Sequence, residues 1–308
     1  MGMLVDGRWV NDVQLNGSQD GVFRRSESQF RNSITRSPGP FTAEIGRYHL
    51  YVSLACPWAH RVLIMRALKG LEEMLPVSVV NWLMLDDGWT FEPAEGVVPD
   101  PDGASLLHEI YTRANTSYTG KVTVPVLWDK QTRTIVNNES SEILRMLNDA
   151  FDDLGAKSGD YYPSQLRAEI DQVNARIYPT VNNGVYRAGF ATTQQAYDDA
   201  VGPLFESLDW LDDRLRGRFW LVEDRFTEAD IRLFTTLIRF DAVYHGHFKC
   251  NLRRIEDYPR LSAYTRQIAS IEEVASTINM HHIKHHYYQS QRHINPSGIV
   301  PRGPIPLP

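Results

Sequence analysis

The sequence predicts an α/β domain followed by an all-helical domain, on three observations. Between residues 46 and 153, β-rich runs and helically spaced segments follow one another as βαβ, a short helix, then ββα. A polar linker over 154–164 ends the β signals. From 165 to 290 only helical spacing remains, and 308 residues suffice for two packed domains.

The first 45 residues, rich in Gly, Ser, Arg and Asn and broken by Arg36-Ser37-Pro38-Gly39-Pro40, carry no sustained period and read as an extended arm. Tyr48–Ser53 has strand-type residues. Pro57–Lys69 follows with Val62, Met65 and Leu68 at helical spacing, and Val77–Trp82 completes a βαβ unit whose crossover makes the two strands parallel. Leu83 to Gly103 is a polar inserted loop, and Ser105–Arg113 a short helix. Val122–Trp128 and Thr132–Val136, parted by Asp129-Lys130-Gln131, fit a hairpin. Pro125 belongs at the start of its strand, where a cis bond is possible, because proline cannot donate to a central ladder. Ser141–Ala150 reads as a helix.

In the second half Leu166, Ile170, Val173 and Ile177 step by four, three and four residues, as do Leu204, Leu208, Leu211 and Leu215. Thr227-Glu228-Ala229-Asp230 before Ile231, Leu233 and Phe234 has the form of a capping box with Asp in the usual Glu position. Five prolines between Pro296 and Pro308 predict an extended tail over 291–308.

Composition narrows the function. With 42% hydrophobic and 23% charged residues and a net charge of -6, the chain is of the globular class and has no broad electrostatic reason to bind nucleic acid. Met1–Val10 contains Asp6 and Arg8, and no apolar run has membrane-spanning length, so neither a secretory leader nor a membrane segment is expected. Two cysteines are too few for a disulfide framework and suit a reducing, cytoplasmic setting. Neither a phosphate-cradling glycine loop nor a Gly-X-Ser-X-Gly elbow is present.

Cys56 is the chemical candidate. Ala55-Cys56-Pro57-Trp58-Ala59 falls between the first strand and the first helix, with Pro57 suited to the first helical position and Cys56 to the N-cap. Unpaired N–H groups and the helix dipole favour an anion there, which lowers a thiol pKa from about 8.5 towards roughly 3.5 to 7.5. A Cys-X-X-Cys pair would need its second thiol at residue 59, which is Ala59. A resolving thiol must then come from solution, and glutathione is the abundant one. The turn Glu139-Ser140 offers a carboxylate for an ammonium, with a hydroxyl and N–H groups for a carboxylate, and equally suits a plain helix cap. Trp89 in its polar loop and Tyr186 after Asn182-Asn183-Gly184 are binding candidates or ordinary packing. His281, His282, His285 and His286 form two i,i+4 pairs able to grip a metal, but no neighbouring carboxylate or cysteine completes a set. No metal is expected. Cys250 lacks a strand-to-helix junction and reads as structural.

Tyr51-Val52-Ser53-Leu54-Ala55-Cys56-Pro57-Trp58-Ala59-His60-Arg61, Asp87-Gly88-Trp89-Thr90-Phe91, Val124-Pro125-Val126-Leu127-Trp128-Asp129, Asn137-Asn138-Glu139-Ser140, Asn182 to Phe190 and His286-Tyr287-Tyr288-Gln289-Ser290 together resemble the glutathionyl-hydroquinone reductases, the Xi-class glutathione transferases. The resemblance runs from Tyr48 onward. It implies a glutathione-transferase fold: a thioredoxin-like domain that binds glutathione, a helical domain that closes an aromatic pocket, and a homodimer. Cys56 matches the nucleophile. Trp89, Val124, Glu139 and Ser140 match glutathione contacts, Val124 through its backbone and the Glu139-Ser140 pair at the γ-glutamyl end. Tyr186 and Tyr287 match tyrosines of the hydroquinone pocket, with Tyr288 an alternative to Tyr287. Lys121 stands where the family often has an arginine and lacks its bidentate fork. The implied reaction is reduction of glutathionyl-hydroquinones with glutathione as co-substrate. Two rivals remain: an omega-like thiol transferase or dehydroascorbate reductase using the same cysteine, and a non-catalytic scaffold of the same fold.

Overall fold

The computed structural model describes residues 2–11 and 20–304, so Pro306 and Pro308 of the proline-rich tail lie outside the described residues. The described residues group into two units. One comprises 2–11, 26–159 and 277–290, the other 20–25, 160–276 and 291–304. The sequence assigned 277–290 to the helical domain, whereas by contact this stretch groups with the first unit.

The first unit opens with a hairpin, β1 (Met3–Val5) and β2 (Arg8–Val10), in the segment expected to be simply extended. Three-residue strands are too short to display an alternating pattern. The main sheet follows from β3 (Tyr48–Val52), α1 (Pro57–Leu68), β4 (Val77–Val79), α2 (Leu107–Ala114), β5 (Val126–Asp129), β6 (Thr134–Asn137) and α3 (Ser140–Asp149). Strand order is β4-β3-β5-β6. β3 pairs parallel with β4 and antiparallel with β5, and β5 and β6 form the expected antiparallel hairpin. All five residues of β3 are buried, which is why it reads as a run of β-type residues without polar alternation. The Val124–Pro125 bond is cis and lies just before β5. Beyond β6 the arm adds one more rung, a bridge between Arg31 and Asn137.

The inserted loop is tied down by Asp100. Its carboxylate accepts from the Tyr51 hydroxyl of β3 (2.6 Å), the Ala104 N–H (2.7 Å) and the Arg113 guanidinium (3.1 Å). These donors hold the carboxyl below its usual range although burial opposes them.

The second unit is helical: α4 (Arg167–Ile177), α5 (Gly184–Gly189), α6 (Gln194–Arg214), α7 (Glu228–Arg239), α8 (Pro259–Ala269) and α9 (Glu272–Ala275), with π-helical turns at Tyr178–Asn182 and Phe240–Tyr244. The two apolar stripes read from the sequence are buried along α4 and α6. At the start of α7, Asp230 closes the capping box by accepting from the Thr227 N–H (2.8 Å) and hydroxyl (3.0 Å). Its other oxygen accepts from the Leu221 N–H (2.9 Å) and the Tyr264 hydroxyl (2.8 Å).

Each unit carries a buried neutral histidine. His49 of β3 donates from Nε2 to the Ser78 hydroxyl (2.8 Å), whose own proton goes to the Pro99 carbonyl (2.8 Å). His247 bonds through Nε2 to Gln291 Oε1 (2.9 Å). Burial pushes both pKa values down to about 4. The ordinary value is about 6.5, so the unfolded chain takes these protons first. Stability is therefore full above about pH 6.5 and falls as the pH drops towards 4, by at most about 1.4 kcal/mol per pH unit for each histidine. Urea titrations across that range should record the decline, and the pair of changes His49→Gln and His247→Gln should flatten it. An unaltered slope in the double variant would mean that carboxylates alone set the acid limit.

Candidate active site

The candidate centre is built at the junction of β3 and α1. Cys56 is the N-cap of α1, with extended backbone (φ -75°, ψ 122°), and Pro57 begins the helix. The main chain of Cys56 is fixed by its N–H to the Ser53 carbonyl (3.1 Å) and by its carbonyl accepting from the His60 N–H (2.9 Å). The half-buried thiol lies 3.6 Å from the Val124 carbonyl, the residue before the cis proline. Cys250 contrasts with it. It is buried, its sulfur lies against the carbonyls of Phe248 (3.8 Å) and Val185 (4.0 Å), and burial pushes its pKa far up. At neutral pH it stays a thiol.

Glu139 caps α3. One carboxylate oxygen accepts from the Ser141 N–H (3.1 Å) and hydroxyl (2.9 Å), the other from the Ser28 hydroxyl (3.3 Å). The capping role weighed for this turn is therefore present, and Oε2 keeps acceptor capacity. Ser140 is buried as the first residue of α3. Lys121 is half-buried, with its carbonyl accepting from the Tyr118 hydroxyl (3.2 Å).

One residue not singled out in the sequence joins these segments. The buried Tyr111 hydroxyl of α2 donates to the Thr123 carbonyl (2.8 Å) and accepts from the Thr123 N–H (3.2 Å) and the Asn138 amide (3.2 Å). It thus fixes the residues immediately before Val124 and Glu139 to one another. A tyrosine on an amphipathic helix reads as core, and no local signal marks this duty.

Trp89 is buried, its carbonyl accepting from the Leu107 N–H (2.9 Å), and its ring stacks on His286 (centroids 4.8 Å, 21°). His286 belongs to the stretch Thr277–Ser290, which contains α10 (Met280–His285) and a π-helical turn over His286–Ser290. This stretch is pinned to the inserted loop. His282 donates from Nε2 to the Glu95 carbonyl (2.7 Å) and His286 from Nδ1 to the Trp82 carbonyl (2.8 Å). Ser290 accepts from the Met84 N–H (3.0 Å) and donates to the Trp82 carbonyl (3.1 Å). Gly96, at φ +75°, is required here, because a Cβ would come within 2.7 Å of His282 Nε2. The rings of His281 and His285 lie tilted against each other, centroids 3.8 Å apart, and meet Trp82 edge-on. The four histidines therefore serve packing and loop anchoring, and among the described residues no group of three or more metal-ligating side chains occurs. Tyr287 and Tyr288, both buried, follow His286 in the same turn, and burial raises the Tyr288 pKa.

Cys56, Trp89, Lys121, Val124, Glu139, Ser140, Tyr287 and Tyr288 all belong to the first unit. Tyr186 belongs to the second, where it sits on α5 among Phe23, Phe190, Tyr244 and Phe248, with the Arg25 guanidinium 5.0 Å from its ring centre. Gly189 on the same helix lets Phe248 approach, since a Cβ there would lie 2.2 Å from that ring.

The half-buried Cys56 thiol thus stands at a helix N-terminus, 3.6 Å from the carbonyl of the residue before a cis proline, in a chain whose relatives are glutathione proteins. Residues 55–150 match the glutathione S-transferase N-terminal domain family and residues 194–267 the C-terminal domain family. The chain is 61% identical to glutathionyl-hydroquinone reductase PcpF of Sphingobium chlorophenolicum, over 100% of this chain and 98% of that protein. The chain belongs to the glutathionyl-hydroquinone reductase family, the Xi-class glutathione transferases. The glutathione-bound structure of YqjG, a glutathione transferase homolog from Escherichia coli K-12, superposes with a TM-score of 0.91 at 52% identity, covering 99% of this chain and 96% of the other. The Xi transferase of Phanerochaete chrysosporium superposes at 0.93 with 52% identity, covering 95% and 96%. The match to PcpF extends outside the two domain families, into the segments that carry Ser28 and His286.

Proposed function

We propose that the protein reduces glutathionyl-hydroquinones to hydroquinones, with glutathione as co-substrate. The observation that carries this reading is the half-buried Cys56 thiol at the α1 N-terminus, in a chain similar over its whole length to a protein named glutathionyl-hydroquinone reductase. The Cys56 thiolate attacks the sulfur of the conjugate. A sulfur–sulfur bond forms, the aryl carbon–sulfur bond breaks, and its electron pair and one proton leave with the ring as hydroquinone. The product on the protein is a Cys56–glutathione mixed disulfide. A second glutathione thiolate attacks it, releasing oxidised glutathione and restoring Cys56. Trp89, Lys121, the Val124 backbone, Glu139 and Ser140 hold the peptide. The hydroxyls of Tyr186 and Tyr287 serve the leaving ring, the second of these roles falling to Tyr288 if the register is shifted by one. With only two cysteines in the chain, we take the enzyme to work in the reducing cytoplasm, as a homodimer.

The test is a substrate panel run on the natural chain and on the changes Tyr186→Phe and Tyr287→Phe. Glutathionyl-hydroquinones should give hydroquinone and oxidised glutathione in equal amounts. Each tyrosine change should lower that rate by about two- to tenfold, the worth of one hydrogen bond, while exchange with a small glutathione mixed disulfide hardly changes. Equal losses on both substrates would make the tyrosines structural. Good turnover of dehydroascorbate or small disulfides without any on the conjugates would install the omega-like reading, and no turnover at all the scaffold.

A further inference from the structure

The carboxylate of Glu139 has its two oxygens engaged unequally. Oε1 takes two donors from Ser141, one of them the helix N–H it caps. Oε2 takes the hydroxyl of Ser28, a residue of the N-terminal arm more than a hundred positions away in sequence. The same hydroxyl lies 3.1 Å from the Asn138 carbonyl, so its proton is shared between the main chain of the turn and the carboxylate.

Ser28 is not placed there by a loose loop. On its C-terminal side the arm pairs with the end of β6: the Asn138 N–H donates to the Phe30 carbonyl (3.1 Å), the Phe30 N–H to Asn138 Oδ1 (3.2 Å) and the Asn32 N–H to the Val136 carbonyl (2.9 Å). Asn137 reinforces the pairing through its amide, which donates to the Asn32 carbonyl (2.9 Å) and to Glu142 (2.8 Å). The Arg31 guanidinium forks onto the same Glu142 carboxylate. The Phe30 ring meets Tyr118 (5.6 Å) and Tyr111 (6.0 Å), so the arm also packs on the tyrosine that ties Asn138 to Thr123.

A carboxylate held through one oxygen turns about its terminal bond at little cost. A second donor on the other oxygen fixes its plane. We infer that Ser28 is a positioning residue for glutathione, acting through Glu139 to present Oε2 to the ammonium of the γ-glutamyl group. This rests on the proposed role of Glu139. With Oε1 saturated by Ser141, Oε2 is the atom with capacity left for a charged donor, and charge-assisted hydrogen bonds are the ones most sensitive to alignment.

The experiment compares a glutathionyl-hydroquinone with the same hydroquinone carried by glutaryl-cysteinyl-glycine, the peptide without its amino group, as substrate in the first half of the cycle. In Ser28→Ala the preference for the glutathionyl conjugate should fall by about three- to tenfold, mostly through a higher KM for that conjugate, with kcat at its saturation much less affected. Ser28→Thr keeps the hydroxyl and should restore most of the preference. Glu139→Gln should remove the preference more completely. If Glu139→Gln discriminates as well as the natural chain, Glu139 does not hold the ammonium and the reading beneath the inference fails. If Glu139→Gln loses the preference but Ser28→Ala keeps it, only the Ser28 role fails. Equal losses on both peptides in Ser28→Ala would likewise overturn it, since a hydroxyl that merely steadies the arm cannot sense the amino group.

Discussion

Replacing Cys56 by serine is expected to lower turnover of every glutathione conjugate by about three orders of magnitude or more, around 4 kcal/mol of transition-state stabilisation. A serine hydroxyl at the same N-cap stays protonated and cannot form the mixed disulfide. Incubation of the natural protein with glutathione disulfide should leave a single glutathione on Cys56, because position 59 is alanine and the second thiol, Cys250, is buried. Intact mass and peptide analysis would locate the adduct. The pH dependence of alkylation should place the Cys56 pKa well under the ordinary 8.5, as the helix terminus requires. An ordinary value, or a serine variant that keeps most of its rate, would remove Cys56 from the role of nucleophile. An internal disulfide between Cys56 and Cys250 as the oxidised product would contradict the one-thiol scheme.

The second large effect concerns stability. Asp230→Ala is expected to cost about 3 to 5 kcal/mol, because it strands four donors that now share one fully buried carboxylate: two backbone N–H groups and the hydroxyls of Thr227 and Tyr264. The loss should appear in urea unfolding of the second unit, read from a tryptophan there such as Trp220, which contacts Tyr264. Tyr264→Phe removes a single donor and should cost far less. A change under about 1 kcal/mol for Asp230→Ala would mean that water replaces the carboxylate, so that the site opens on mutation.

The sequence disclosed those features that are local. Cys56-Pro57 at a strand-to-helix junction, the position of Pro125, the box at Thr227–Asp230 and the stripes of α4 and α6 each occupy a few neighbouring residues, and each is where its pattern placed it. Features made by distant partners stayed hidden. Ser28 at Glu139 and the return of Thr277–Ser290 to the first unit depend on pairings over one to two hundred residues, which no period or composition records. Tyr111 was hidden in another way, since its ring satisfies the apolar face of α2 and only its hydroxyl reveals a second duty. The histidine quartet illustrates the opposite error that spacing invites. Two i,i+4 pairs suggest a metal, yet His282 and His286 use their ring nitrogens to fasten the chain at Glu95 and Trp82.

The contrast between the two sulfurs has a practical corollary. A mild thiol-directed dye at neutral pH meets one reactive partner in the unmodified protein, because the other sulfur is sealed in the helical unit and held protonated. The natural chain therefore behaves as a single-label protein without any engineering. Bound glutathione should slow capture of the dye at Cys56, and delayed capture of a second equivalent would time the opening of the helical unit.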